Sequence, residues 1–243
     1  MSYYSIIFTK RNRVGYITLN RPEAGNRINQ QMAQELENVC SVINQDGEVY
    51  VAVLTGAGKS FCSGSEPESP STSKFIASLN CPVIAAINGE ALGQGLELAL
   101  ACDIRLASDR AKLGLPQIAA GLIPMDGGTQ RLPRIVGKGK ALELTLTGEV
   151  LSAEAALEIG LVNRVVAAGK LAAEAAALAE TIASKAPIAL RYVKEAINSG
   201  LDLTLEQGLR LEADLYFLLH TTSDRTEGIK AFLGKRQPRF KGQ

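Results

Sequence analysis

The chain has 243 residues, long enough for one large core or for a core with a smaller appendage. Its 26 Lys plus Arg against 25 Asp plus Glu leave a net charge of +1, which gives no long-range field for gathering nucleic acid or an anionic membrane. Cys40, Cys62, Cys81 and Cys102 lie in apolar segments without a C-x-x-C pair and with a single histidine, His220; reduced core thiols fit this pattern better than a disulfide framework or a zinc site.

The first residues, Met1-Ser-Tyr-Tyr-Ser5, run straight into strand-like sequence with no basic start and no apolar leader core. No apolar run reaches the roughly 18 residues of a membrane span, so a cytoplasmic protein is expected. Next, 6–10 and 14–19 are β-rich runs flanking Arg11-Asn12-Arg13, which predicts an antiparallel hairpin ended by Arg21-Pro-Glu-Ala-Gly-Asn26. Met32, Leu36, Val39, Cys40 and Ile43 have the spacing of an amphipathic helix over 30–46. A buried strand over 49–55 follows and ends in Gly56-Ala57-Gly58.

The unit then recurs: a helix near 74–79, a strand over 83–87, a Gly-punctuated loop, a helix over 94–101 and a strand over 104–107. Strands alternating with helices predict right-handed crossovers and a mostly parallel sheet covered on its faces. Beyond residue 152 the β signals largely stop, and 152–159, 171–184, 188–199, 203–219 and 224–233 read as helices. These helices are expected to pack over the body or onto a neighbouring subunit. The Ser/Pro/Glu-rich stretch 60–73 is a predicted loop and a candidate rim of a site.

The chain has no G-x-S-x-G, H-E-x-x-H or G-x-x-x-x-G-K-[ST] motif, and His220 near a helix end suits capping or a surface place better than catalysis. Glycine-rich backbone and carboxylates remain. Gly93 and Gly95 flank Gln94 at a helix start, where unpartnered N–H groups and the helix dipole favour negative charge. Glu97 follows one turn later in an apolar run. It either complements the helix N-terminus or, with its pKa raised by burial, serves acid–base chemistry. Spacing alone leaves both readings open.

Four blocks in order carry a resemblance: Arg21-Pro-Glu-Ala-Gly-Asn-Arg-Ile-Asn29, Lys59-Ser-Phe-Cys-Ser-Gly-Ser-Glu66, Pro82-Val-Ile-Ala-Ala-Ile-Asn-Gly-Glu-Ala-Leu-Gly-Gln-Gly-Leu-Glu-Leu98, and Pro116-Gln-Ile-Ala-Ala-Gly-Leu-Ile-Pro-Met-Asp-Gly-Gly-Thr-Gln-Arg-Leu132. With Glu227-Gly-Ile-Lys-Ala-Phe-Leu-Gly-Lys-Arg236, they make nearly the whole chain resemble the crotonase (enoyl-CoA hydratase/isomerase) superfamily. The resemblance implies an α/β spiral of repeated β-β-α units with a helical C-terminal region. It implies an acyl-CoA-binding catalytic core over 1–180, and a region over 181–243 that serves oligomerisation and CoA contact. It further implies a homotrimer or a hexamer built as a dimer of trimers.

By the same resemblance, the backbone N–H groups of Ser65 and Gln94 hold a thioester oxygen, and Glu97 moves protons. Glu23, Ala24, Gly25, Lys59 and Ser63 bind CoA, and Phe232 and Lys235 reach the adenine side from a neighbouring subunit. CoA enters as part of the substrate, with no metal or redox cofactor, no nucleic acid and no membrane partner. The expected activity is that of an enoyl-CoA hydratase or dehydratase of fatty acid metabolism. The alternatives are isomerisation or acyl-CoA hydrolysis by Glu97 or Asp126, and a non-catalytic acyl-CoA-binding homologue.

Three departures qualify this reading. The second catalytic glutamate of the family's hydratases falls at Gln117, and an amide exchanges no proton near pH 7. Met125-Asp126 stands where the family has small residues, so Asp126 either replaces the missing carboxylate or caps the helix beginning near Gly127. The family carries a longer segment after Ser65, including a helix that walls the acyl pocket, where only 66–81 intervene here. Glu66, Glu68 and Glu90 are further pocket candidates set against a solvated rim.

Overall fold

The computed structural model describes residues 3–243. Strands β1 (Ile6–Arg11) and β2 (Val14–Leu19) form the expected hairpin, with Arg11 opposite Val14 and Ile6 opposite Leu19. Its turn uses left-handed backbone at Asn12 and Arg13. Helix α1 (Gln30–Gln45) then leads to β3 (Val51–Gly56), the short helix α2 (Ser73–Ala77) to β4 (Val83–Ile87), and α3 (Gln94–Leu100) to β6 (Ile104–Ser108). With β9 (Arg164–Val166) they make a six-stranded sheet in the order β1-β2-β3-β4-β6-β9, parallel throughout except for β1.

Both sheet faces are buried, which explains the near-continuous apolar strands. Alternation along β3 sends Val51 and Val53 to one face and Ala52 and Leu54 to the other. The first face meets α7 (Leu171–Ala183) through Leu171, Ala175, Ala179 and Ala183, a four-residue repeat whose small side chains let the helix lie close to the sheet. The second meets α1 through Met32, Leu36, Val39, Cys40 and Ile43. All four cysteines are free and buried, and burial pushes the thiols of Cys40, Cys62 and Cys102 up to about 12 and that of Cys81 up to about 11.

A second sheet joins β5 (Glu90–Leu92), β7 (Lys112–Gly114) and β8 (Val150–Ser152). The sequence reading misses all three, because three residues are too few to display alternation. β9, which lies between α6 (Ala153–Glu158) and α7, is likewise not anticipated, and it corrects the expectation that the chain after 152 is a run of helices. Helices α4 (Gly128–Val136) and α5 (Lys138–Thr147) precede β8.

After α7, helices α8 (Pro187–Gly200), α9 (Leu205–Leu219) and α10 (Ser223–Leu233) complete the chain, and position 180 lies inside α7. Lys194 of α8 donates to Cys81 O at 3.0 Å and pairs with Asp103 at 2.9 Å, while Arg13 donates to Phe240 O at 3.1 Å. Cys81, Asp103 and Arg13 all precede parallel strands. The late helices are therefore tied to the N-terminal edge of the sheet, and leave Val193, Ile197, Leu209, Phe217 and Phe232 exposed. His220 caps the C-terminus of α9 beside Tyr216 and Phe217. Among the described residues no helix is long and apolar enough to cross a membrane.

The N-terminal strand is fastened to α1 by the buried Glu35 carboxylate, which accepts from the N–H groups of Tyr4, Ser5 and Ile6 at 2.9, 2.8 and 3.1 Å and from Gln31. Burial raises its pKa, but these four bonds outweigh it and hold the carboxyl below its usual range. Glu35→Ala is expected to cost about 1–3 kcal/mol in urea unfolding at pH 7, because three donors lose their acceptor. A depressed folded pKa means the contribution is present above the ordinary glutamate range and is lost as pH falls through the folded value, so wild type and variant should converge in acid.

Candidate active site

Three segments leave the C-terminal edge of the parallel strands side by side: 20–29 after β2, 57–66 after β3 and 88–93, which includes β5, after β4. This is the edge at which open α/β sheets bind ligands. Two asparagines stitch the loops together. Asn26, fully buried and in left-handed backbone, donates to Ala57 O at 2.9 Å and Ser60 O at 2.7 Å and accepts from Arg21 N at 2.9 Å. Asn88 accepts from Gly56 N at 3.1 Å and donates to Gly58 O and Ser60 O. Neither residue has a role that sequence spacing reveals, although each sits inside one of the blocks quoted above. Ser63 binds Gly25 O through both its N–H and its hydroxyl, at 3.0 and 3.1 Å. Glu23, Ala24, Gly25, Lys59 and Ser63 are thus gathered on one rim.

Ser65 and Gln94 are brought together by two single-residue bridges. Ile28 N donates to Gly64 O at 3.0 Å and Glu66 N donates to Ile28 O at 2.8 Å, a parallel bridge in which the intervening Ser65 turns its own N–H away from Ile28. Cys62 pairs with Ala91 in the same manner, so 62–65 runs alongside β5 and the start of α3. The approach is so close that a Cβ on Gly95 would fall 1.9 Å from Cys62 O. Gly93, with φ 52°, makes the turn into α3, and a Cβ there would lie 4.0 Å from Gly64 Cα. Among the described residues, neither the Ser65 nor the Gln94 N–H is spent on a protein acceptor.

Glu97, in the first turn of α3, has no exposed surface. Its Oε1 accepts from Asp126 N at 2.7 Å and Gly128 N at 2.8 Å, the N–H groups at the start of α4. Gly128 permits this contact, since a Cβ there would press on Oε1 at 3.0 Å and on Pro124 at 2.7 Å. Among the described residues its Oε2 meets only the Gln117 amide, at 3.2 Å. Burial raises the Glu97 pKa; the Gly128 and Asp126 N–H groups and Arg131 pull it down, the Asp126 charge pushes it up, and the net direction is upward. Gln117 stands in the turn Pro116–Ala120, and its Oε1 is buried without a protein partner.

Asp126 does not cap α4. The N-cap is Gly127 at φ 100°, with no side-chain cap, and that half of the sequence expectation is corrected. The Asp126 carboxylate instead turns to α2, accepting from Thr72 N at 2.9 Å, Ser73 N at 3.0 Å, the Ser71 hydroxyl and Gln94 Nε2 at 3.0 Å. Burial acts to raise its pKa, but the hydrogen bonds from Ser71, Thr72, Ser73 and Gln94 prevail and lower it. Two carboxylates on neighbouring segments are therefore pushed apart: Asp126 toward the ionised form, Glu97 toward the proton-carrying one.

Among the other acidic candidates, Glu66 pairs with Arg21 at 2.7 Å and Glu68 and Glu90 are exposed. Phe232, 82% exposed near the end of α10, and Lys235 belong to the helical region tied to the opposite edge. The fold does not bring them to the Gly25 rim of the same chain.

A family model described as enoyl-CoA hydratase/isomerase matches residues 9–74 and 65–243, two segments that meet at the shortened loop. The chain is 38% identical to a crotonyl-CoA hydratase from Syntrophomonas wolfei over 257 residues, covering 99% of each. That alignment is longer than the 243 residues of this chain, so the relative carries residues absent here. An (E)-benzylidenesuccinyl-CoA hydratase from Thauera aromatica is 42% identical, with 95% of this chain and 96% of that one covered. The crystal structure of an enoyl-CoA hydratase from Bacillus anthracis superposes with a TM-score of 0.96 at 41% identity, covering 99% of this chain and 100% of that one.

The close approach at Gly95 generates a test. Gly95→Ala places a Cβ 1.9 Å from a backbone oxygen that cannot yield cheaply. Thermal unfolding should show a loss of at least about 1–3 kcal/mol, the overpacking range, with turnover falling more than stability as segment 62–65 is displaced.

Proposed function

The chain belongs to the enoyl-CoA hydratase/isomerase family, and we propose that it adds water to, or removes it from, the double bond of a 2-enoyl-CoA thioester. One observation carries this reading: two unspent backbone N–H groups, at Ser65 and Gln94, lie beside a buried glutamate whose Oε1 is held by two backbone N–H groups and whose Oε2 meets the Gln117 amide. Donors fixed by the backbone stabilise negative charge on a thioester oxygen without reorganising, and because only backbone acts, the Ser and Gln side chains do not impair the hole.

In the hydration direction the thioester oxygen accepts from Ser65 N–H and Gln94 N–H. Glu97 Oε2 takes a proton from water as the water oxygen bonds to Cβ, and the alkene electron pair moves onto the thioester oxygen as an enolate. The enolate re-forms the carbonyl as Cα takes the proton back from Glu97, which leaves the carboxylate ionised. Gln117 supplies no proton. Its amide orients water and the Glu97 carboxylate, and its unpartnered Oε1 accepts from the water. A carboxylate oxygen held by the Gln117 amide alone also suits isomerisation, in which Oε2 carries a proton between Cα and Cγ.

The rim of Glu23, Ala24, Gly25, Lys59 and Ser63 is read as the CoA contact. Residues 1–180 form the catalytic core and 181–243 the assembly region. The exposed apolar faces of α8 to α10 support a homotrimer or a dimer of trimers in which Phe232 and Lys235 reach a neighbour's CoA. CoA enters with the substrate, no further cofactor is invoked, and buried thiols suit a cytoplasmic enzyme.

Glu97→Gln is expected to lower kcat/KM for crotonyl-CoA hydration by about 10²–10⁴, the usual range for a lost acid–base group. Wild-type-like turnover by that variant sinks the assignment. In wild type, activity should rise with pH along a limb placed above the ordinary glutamate range, because Glu97 must be ionised to accept a proton and its pKa is raised. Gln117→Glu restores a second carboxylate and should increase hydration; unchanged hydration would favour isomerisation.

A further inference from the structure

The short loop and Asp126, two of the departures from the family pattern, meet the Gln94 side chain in one buried cluster. Gln94 is 4% exposed and Asp126 3%. Both hydrogens of the Gln94 amide are spent, on Pro70 O at 2.7 Å and on Asp126 Oδ2 at 3.0 Å. Since both partners only accept, the amide orientation is fixed, and among the described residues Gln94 Oε1 is left buried without a partner. Asp126 also holds Ser71, Thr72 and Ser73, fifty-three and more residues away in the chain. Its own N–H grips Glu97 Oε1 at 2.7 Å.

We propose that Asp126 is a positioning residue that takes over the work of the loop segment this chain lacks. Its carboxylate fastens the shortened 70–73 segment to the start of α3 through Gln94, and its backbone fixes the oxygen of Glu97 that does not carry the proton. The arrangement accounts for the Gln at an oxyanion position: the side chain is the tie, while its backbone N–H faces the substrate. It accounts equally for an aspartate that stays ionised close to a glutamate that must take up a proton. The inference rests on Glu97 as the acid–base group, and its test includes a reading independent of turnover.

The charged groups acting on Glu97 are Asp126 and, from α4, Arg131. The Pro116–Ala120 turn presents the uncharged Gln117, and Lys74 of α2 stands over the Phe75 ring at 4.9 Å. Asp126→Asn removes the negative neighbour, so the Glu97 limb of the pH–kcat/KM profile should move to lower pH. Amide hydrogen exchange at Thr72 and Ser73 should quicken at least tenfold, because donors that faced a carboxylate lose part of their acceptor.

A limb that stays in place, or exchange that is unchanged, overturns the proposal. So does a thousandfold loss of kcat at every pH with exchange intact, which would make Asp126 the proton carrier itself. Ser71→Ala removes one donor and keeps the charge, and serves if Asp126→Asn fails to fold. Exchange at Thr72 and Ser73 should then rise with the pH limb unmoved, and unaltered exchange contradicts the tie. Faster exchange in a protein that hydrates no enoyl-CoA would refute the hydratase reading while leaving the tie standing.

Discussion

The two hydrogen bonds from the start of α4 to Glu97 Oε1 are the constraint around which the site is arranged. A carboxylate with no exposed surface among Leu96, Leu98 and Ala99 is costly to ionise, and two backbone donors reduce that cost without abolishing it. They also make the two oxygens unequal, leaving Oε2 with the Gln117 amide as its partner among the described residues. For this, α4 must begin against α3, which requires Gly128 to lack a side chain and Gly127 to take left-handed backbone. The α3 start must in turn press on 62–65, which requires Gly95. Catalytic geometry here follows from close backbone approach more than from the identity of the side chains facing the substrate.

Seen from that constraint, the departures from the family pattern form one compensation. Losing part of the segment after Ser65 would leave α2 and residues 62–65 poorly fixed. The chain answers with a buried ionised aspartate that caps α2 from a distant loop, and with an amide that ties the same segment to α3. The cost is an unpartnered carbonyl oxygen on Gln94, the sort of orphaned buried group that folded proteins keep only where the surrounding bonds outweigh it. Gln117 is a different change. It makes a hydrogen bond to Glu97 with an amide, which exchanges no proton near pH 7.

The sheet and its covering helices were legible in the sequence where periodicity is long. The i, i+3, i+4 pattern from Met32 to Ile43 fixed the buried face of α1, and the apolar run of β4 fixed a strand buried on both sides. The three-residue strands β5, β7, β8 and β9 were not legible, since each exists only through its pairing. Gln94 and Glu97 are legible in the glycine-flanked helix start itself, whereas Ser65 and Gln117 are marked only by the blocks that resemble a family. Asp126 was named, but its partners at Ser71, Thr72 and Ser73 could not be, because no local pattern records a cap supplied across fifty residues of chain. Asn26 and Asn88 escaped notice for the same reason: each stabilises loops by bonds to backbone that sequence spacing does not display.

A crystal structure of the chain with acetoacetyl-CoA, an enolisable thioester, tests the central claim most directly. The account predicts the thioester oxygen about 2.7–3.1 Å from both Ser65 N and Gln94 N, the range of working oxyanion holes, with Glu97 Oε2 the carboxylate oxygen nearest the acyl carbons. A thioester oxygen turned to other donors, or an acyl group resting against Asp126 instead of Glu97, would contradict it.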